Sequence, residues 1–274
     1  VTRGFPLNPQ PGDPTDHPHH LGIWFTYENV NGLDFWNNSY AIPDDKKHLY
    51  GWIRTDRIIS TSDGKKGKIV YHANWTDQQK NILLEETTEL TFSGTEHLRI
   101  IDRKTTLRAD TIVNFNDAKD GLYGIRLAHA LQIPDNKDRE FKDDKGNVTI
   151  VKGEKDAIAN GNYLTSEGKT GDDAWSTRGR WCKVYGKMGN DSISVAIIDH
   201  PGNPNYPTFW HARGYGLFAA NPLGEKIFTN GKSSKNLRLK KGDSVTFRYR
   251  IVIDANNKTL SVAALNKLAD DFSK

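Results

Sequence analysis

The sequence has very little cysteine and no long apolar run. Cys182 is the only cysteine among 274 residues, which excludes an internal disulfide. It lies between Trp181 and Lys183 in a run typical of a strand, so we expect a buried structural thiol rather than a nucleophile. No window approaches the roughly 18 consecutive apolar residues of a membrane helix, which predicts a soluble chain without a membrane span.

An excess of charge of one sign is also missing. The 38 basic and 34 acidic residues leave a net charge of +4, and both signs are mixed along the chain, as in residues 135–140. Nucleic-acid binders usually collect basic residues on one face, so no nucleic-acid partner is expected. The sequence lacks the phosphate-binding glycine loop, Gly-x-Ser-x-Gly and the paired cysteines of a zinc site. We therefore expect no cofactor, with a divalent metal as the alternative.

Alternation of apolar and polar residues is the dominant pattern that is present. In residues 245–253 every odd position is apolar, whereas Thr246, Arg248 and Arg250 take even positions. This period of two is typical of a strand with one buried face. Similar β-branched runs occupy residues 82–92, 98–107, 111–115 and 193–198. The sequence predicts an all-β protein, an antiparallel β-sandwich.

Two segments depart from this pattern. Leu260, Leu268 and Phe272 follow the spacing of one helix face, which predicts a short C-terminal helix. Residues 135–180 have mixed charge and little periodicity, so we expect a loop-rich insertion with short strands or a lid over a site. The length suits one large all-β unit, and we expect residues 1–274 to form a single β-sandwich domain.

Three histidines lie within four residues, at positions 17, 19 and 20. If this segment is extended, His17 and His19 share a face about 6.6 Å apart and His20 points the other way. Two imidazoles on one face can ligate a metal with a third partner or divide acid and base roles. We predict a functional role for at least one of them; the alternative is a set of histidines bonded to loop carbonyls.

A second polar motif spans residues 199–216, directly after an apolar strand. Its prolines and glycines predict a shaped loop that presents Trp210, His211, Arg213 and Tyr215. Aromatic faces stack on sugar C–H faces, and Asp, Asn, His and Arg side chains bind hydroxyls or carboxylates. The motif therefore predicts a carbohydrate site, and the alternative is a packed turn with surface aromatics.

A third motif spans residues 121–129. As a strand it would place Arg126 on one face and His129 on the other. An arginine in an apolar strand needs a carboxylate, phosphate or ligand partner. A ligand contact and a structural salt bridge both stay open for Arg126.

Together these motifs resemble the soluble bacterial PmoA-like family, often labelled methane oxygenase. The matching runs are residues 16–36, 121–127 and 199–224, and the resemblance covers essentially the whole chain. It implies a secreted or periplasmic protein of polysaccharide-degrading bacteria, and the start at Val1 then fits a processed N terminus that has lost its export signal. It also implies a distant similarity to the galactose mutarotase supersandwich, in which paired histidines and a carboxylate act on sugars.

We therefore predict a carbohydrate-active enzyme, a hydrolase, lyase or epimerase, that uses acid–base chemistry in polysaccharide breakdown. The predicted catalytic residues are His17, His19, Asp199, His200, His211 and Arg213. The predicted substrate-binding residues are Trp24, Asp34, Arg126, His129, Asn203, Trp210 and Tyr215. The catalytic carboxylate stays open among Asp16, Glu28, Asp34, Asp199 and Glu225.

Two alternatives belong to other functional classes. The first is a metal-dependent enzyme in which His17 and His19 bind zinc, iron or copper with His200, or with His129 or His211 in its place. The second is a non-catalytic sugar-binding module. The expected partner is a sugar or oligosaccharide ligand, and the oligomeric state stays open.

Overall fold

The computed structural model describes residues 1–9, 13, 17–40, 42–135, 138–142, 148–151, 158–256 and 258–274. These residues form two main antiparallel sheets and one C-terminal helix, so the predicted fold class, an all-β antiparallel sandwich with a short C-terminal helix, is confirmed. In the described part of the chain, no helix is long and apolar enough to cross a membrane.

The larger sheet has eight strands. From one edge to the other they are β10 (Asn162–Thr165), β11 (Trp181–Met188), β12 (Asp191–Asp199), β16 (Ser244–Asn256), β5 (Leu98–Ala109), β4 (Ile82–Gly94), β3 (Gly67–Thr76) and β2 (Trp52–Ser62). The smaller sheet has four strands in the order β1 (Ile23–Tyr27), β7 (Gly121–Arg126), β14 (Leu217–Asn221) and β13 (Phe209–Ala212).

Short elements complete the architecture. β6 (Val113–Phe115) pairs with β15 (Leu237–Leu239), and β8 (Arg139–Lys142) pairs with β9 (Val148–Val151). The helices are α1 (Glu225–Phe228) and α2 (Val262–Phe272), with 3-10 segments at Asp44–Leu49, His129–Leu131 and Gly171–Ala174. The region 135–180 thus contains short strands, as expected, whereas its role as a lid stays a prediction.

The core lies between the two sheets. Phe247, Tyr249 and Ile251 alternate along β16 and are fully buried on its inner face, as the period of two predicted. Phe25 and Phe218 enter the same core from the smaller sheet. Burying one such side chain contributes about 1.5–3 kcal/mol, so this shared interior fixes which face of each sheet turns inward.

Helix α2 covers the opposite face of the larger sheet. The Ser261 side chain caps the helix by accepting a hydrogen bond from the amide of Ala264 at 3.2 Å. Leu265 and Ala269 are buried against the sheet. Cys182 on β11 is buried in the core, as expected, and burial raises the pKa of its thiol.

The outer face of the smaller sheet is the face turned away from this core. Trp24, Gly124, Ala219 and His211 are cross-strand neighbours in one row on it. A Cβ on Gly124 would lie 2.9 Å from Cε2 of Trp24, so only glycine lets the indole lie against β7. This row lies between the two parts of the candidate site described below, the histidine cluster and the cleft beside Tyr215.

A buried ion pair joins β4 and β5 inside the sandwich. Glu86 accepts hydrogen bonds from Nη2 of Arg103 and Nε1 of Trp75, both at 2.8 Å. The Arg103 guanidinium also lies over the Phe25 ring, 4.7 Å from its centroid. The side chains of Glu86 and Arg103 are only 2% and 8% exposed, so each charge depends on the other.

Replacing one member of this pair should destabilise the protein strongly. We expect Arg103→Met to lower the free energy of unfolding by about 3–5 kcal/mol, because Glu86 is left charged and buried. Arg108→Met, on the same strand, removes an exposed pair with Glu85 and should cost less than about 1 kcal/mol. Urea unfolding of both variants checks this, and equal small losses would contradict it.

Candidate functional site

The three histidines of the first motif converge in one cluster just before β1. His17 has a positive φ of 46°, and the amide of His20 donates to its carbonyl at 3.0 Å, so the chain turns here. The expected extended segment, with His20 pointing away, is therefore wrong. The His17 and His20 rings stack with centroids 4.9 Å apart, and His19 meets His20 edge-on at 4.4 Å.

His20 is the buried member of this histidine cluster. Its side chain is 4% exposed, and neither ring nitrogen has a hydrogen-bond partner among the described residues. Burial lowers the pKa of His20 well below its usual range, and the neighbouring His19, His17 and Arg126 add to this. The ring is therefore neutral at pH 7.

Two tryptophans pack against the histidine cluster. The His20 ring stacks on Trp24 at 4.5 Å, and Trp36 meets both rings edge-on. Asp34 shapes the turn that carries Trp36, since its Oδ1 accepts the amides of Trp36 and Asn37 at 2.8 and 2.9 Å. Of these predicted binding residues, Trp24 has one face covered by His20, and the carboxylate of Asp34 accepts bonds from Trp36 and Asn37.

Arg126 and Tyr215 continue the outer face away from the histidines. Arg126 ends β7 and is 1% exposed, with its guanidinium 5.2 Å from the centroid of the Tyr215 ring. Tyr215 is half-buried and packs on the cluster that contains Trp36 and Leu217. The Arg126 amide donates to the Gly22 carbonyl at 3.1 Å, so Arg126 also lies next to the segment that follows the histidines.

An open cleft of about 350 Å³ follows beside Tyr215. Its walls are Asp135, Asp172, Trp175, Ala212, Arg213, Gly214 and Tyr215. The Arg213 guanidinium lies over the Trp175 ring, 4.0 Å from its centroid. The Ser176 amide donates to the Trp210 carbonyl at 3.0 Å and so fixes the loop that carries Trp175. An aromatic pair with carboxylates and an arginine is suited to binding a sugar.

His211 and Asp120 meet next to this cleft. His211 is 1% exposed, its Nδ1 lies 3.6 Å from Oδ1 of Asp120, and its ring contacts that of Trp175 at 4.8 Å. Burial, with Arg213 adding to it, lowers the pKa of His211 to about 3, so the contact with Asp120 is not a salt bridge at pH 7.

The pKa of Asp120 lies close to neutral pH. Burial raises the pKa of Asp120 to about 6; Lys119 opposes this shift, and the charges of Glu28 and Asp34 reinforce it. A carboxyl with a pKa near 6 can give or take a proton at neutral pH. Sequence reasoning missed Asp120, which directly precedes the third motif, and Trp175, whose only signal was an aromatic residue closing a charged, aperiodic segment.

The other carboxylates that sequence reasoning left open are distributed as follows. Glu28 accepts the Asp120 amide at 2.9 Å and so lies beside the His211–Asp120 pair. Glu225 on α1 accepts a bond from Nδ2 of Asn205 at 3.1 Å. Asp16 lies outside the described residues.

Asp199, His200 and Asn203 do not lie on the outer face of the smaller sheet. Asp199 is 2% exposed at the end of β12, and it accepts bonds from Nδ2 of Asn203 at 2.7 Å and from the Thr208 amide at 2.8 Å. The His200 ring contacts Phe272 of α2 at 5.2 Å. The expected grouping with His17 and His19 is corrected, because residues 199–203 directly follow β12 of the larger sheet, and only the later part of the motif reaches the smaller sheet through β13.

Trp210 and His129 also differ from expectation. Trp210 is fully buried, because it and Ala212 face the core while His211 between them faces outward. It offers no face to a sugar. β7 ends at Arg126, so His129 lies not in a strand but in the 3-10 segment, where it lines a separate cleft of about 490 Å³.

Comparison with known proteins identifies a family and distant structural neighbours. The model of DUF6807, described as a family of unknown function, matches residues 1–270. No curated protein matches the chain.

The structural similarities are weak. The Slr1438 protein of Synechocystis sp. PCC 6803 is 9% identical, with 74% of this chain and 66% of that chain covered and a TM-score of 0.36. The GH36 α-galactosidase AgaA of Geobacillus stearothermophilus, in complex with raffinose, is 8% identical over 94% and 32% of the chains, with a TM-score of 0.34. A galactose mutarotase related enzyme of Lactobacillus acidophilus is 7% identical over 76% and 73%, with a TM-score of 0.30.

The buried His211 should make stability sensitive to acid. Its folded pKa of about 3 lies below the ordinary 6.5, so its contribution is complete above pH 6.5 and is lost as the pH falls toward 3. We expect His211→Gln to lose less unfolding free energy than the wild type between pH 6.5 and 4.5, by on the order of 1 kcal/mol per pH unit. Urea unfolding across this range measures the difference.

Asp120→Asn provides the control of opposite sign. The folded pKa of Asp120, about 6, is raised, so its contribution is present below pH 4 and is lost as the pH rises through 6. Removing this carboxyl should therefore make the protein comparatively more stable at pH 6.5 than at pH 4.5. Parallel pH profiles for the wild type and His211→Gln would refute the assigned burial of a neutral imidazole.

Proposed function

We propose that this chain, which belongs to the DUF6807 family, is a carbohydrate-active enzyme that binds its substrate along the outer face of the smaller sheet. The cleft beside the His211–Asp120 pair carries the proposal, because its two half-buried aromatic rings, Trp175 and Tyr215, stand next to Arg213. Its volume of about 350 Å³ lies within the usual range of ligand sites, roughly 300–1,000 Å³.

Different side chains of the cleft can contact different parts of a sugar. The faces of Trp175 and Tyr215 opposite the Arg213 and Arg126 guanidinium groups can stack on the C–H faces of a sugar ring. Asp135 and Asp172 on the cleft wall can accept hydrogen bonds from hydroxyl groups. Arg213 can bind a hydroxyl or a carboxylate, so the cleft suits both neutral sugars and uronic acids.

Acid–base chemistry would depend on Asp120. Its raised pKa allows it to donate a proton to a leaving oxygen or to take one from a substrate hydroxyl or carbon. The neutral His211 beside it can position the carboxyl without holding it ionised. Arg213 can stabilise negative charge that develops on the substrate. This chemistry serves hydrolysis, elimination and epimerisation alike, and polysaccharide breakdown is the proposed setting.

The proposal extends to the cellular location. The resemblance of residues 16–36, 121–127 and 199–224 to PmoA-like proteins supports a secreted or periplasmic protein. Polysaccharides are degraded in those compartments, which agrees with a sugar-binding cleft that opens at the surface.

Sugar binding should depend on the aromatic wall of the cleft. We expect Trp175→Ala to weaken binding of its oligosaccharide by about tenfold, because a stacking face worth about 1 kcal/mol beyond its contact area is lost. Trp52→Ala is the matched control, since Trp52 also carries an arginine, Arg54, over its ring at 4.6 Å but lies on β2. Calorimetry against a panel of neutral and uronic-acid oligosaccharides measures both variants.

Turnover should depend on Asp120. Asp120→Asn should lower the rate by about 10²–10⁴-fold while sugar affinity stays within a factor of about two, because the amide cannot transfer the proton. Asp63→Asn, at an exposed turn, is the control. Binding without turnover in the wild type would favour the sugar-binding module. Absence of binding to any sugar in the panel would overturn the proposed function.

A further inference from the structure

We propose that His17, His19 and His20 form a binding site for a divalent transition-metal ion of the zinc, copper or iron class. The three side chains come from a single turn before β1, and none of them lines the sugar cleft. The inference therefore does not rest on the proposed function.

The geometry of the cluster is close to that of a three-histidine site. One ring nitrogen from each histidine lies within 4.8 Å of the others. In a tetrahedral zinc site, with Zn–N bonds of 2.0–2.1 Å, two ligand nitrogens stand about 3.3 Å apart. The gap can be closed by rotation of His17 and His19, which are half-buried, toward His20, which its stack on Trp24 holds in place.

His20 supplies the second, independent observation. Its ring is 4% exposed and neither nitrogen has a hydrogen-bond partner within the described ranges. Leaving a buried polar group unsatisfied costs about 1–3 kcal/mol, so such groups normally have a partner. A metal ion facing His17 and His19 would accept the lone pair of one nitrogen and remove part of that cost.

The ligand set also selects the kind of ion. Imidazole nitrogens suit zinc, copper, iron and nickel, whereas magnesium and calcium require oxygen ligands. Three neutral imidazoles leave the ion with its full double charge and one open position. The guanidinium groups of Arg126 and Arg3 act on His20 from nearby, so this position favours an anion such as hydroxide or a carboxylate.

Calorimetry and absorption spectroscopy of the full, tag-free chain test the site. After treatment with a chelator, we expect one Zn²⁺ ion to bind per chain, and Co²⁺ in its place to give the visible bands of a four-coordinate ion. His20→Phe keeps the stack on Trp24 but removes both nitrogens. It should weaken Zn²⁺ binding by more than the roughly 10–100-fold that loss of an outer-shell partner costs.

His17→Ala and His19→Ala should act in the same direction, whereas His200→Ala and His97→Ala should leave Zn²⁺ affinity unchanged. The thermal midpoint should rise with Zn²⁺ in the wild type and not in His20→Phe, which separates metal binding from misfolding. Absence of stoichiometric binding, or equal losses in the His97 and His200 variants, would overturn the site. Oligosaccharide binding measured with chelator present tests the sugar cleft separately.

Discussion

Burial of the inner face of the smaller sheet is the constraint on which the rest of the molecule depends. Phe25, Phe218 and Trp210 must enter the core, because their rings contribute several kcal/mol only when removed from water. Side chains alternate along a strand, so the neighbours of these residues must face outward. His211 and Trp24 therefore reach the outer face as a consequence of packing, and the candidate site is attached to strands that build the core.

Burial acts on the ionisable groups of the two faces in different ways. Inside the sandwich, Glu86 and Arg103 are taken out of water together and compensate each other at 2.8 Å. On the outer face, burial lowers the pKa of His211 and raises that of Asp120, which favours the uncharged form of each. The first arrangement stabilises a fold with fixed charges. The second leaves one carboxyl, Asp120, with a pKa close to neutral pH, as the proposed acid–base chemistry requires.

Local periodicity made the strands and the C-terminal helix predictable, since residues 245–253 and 260–272 carry their burial pattern in the sequence itself. The composition of the site was predictable only in part. A single backbone conformation, the positive φ of His17, reverses the direction expected for His20. Asp120 and Trp175 approach His211 through contacts distant in sequence, which no local pattern predicts.

The missing side chain at Gly124 has a consequence for how the site could change over evolutionary time. Trp24 rests on this glycine, and His20 rests on Trp24. One added methyl group at Gly124 would push the indole away from β7 and move the histidine cluster with it. A substitution of Gly124, which belongs to neither the histidine cluster nor the cleft, would thus change the distance between them. It would also change the size of the molecule that can contact both.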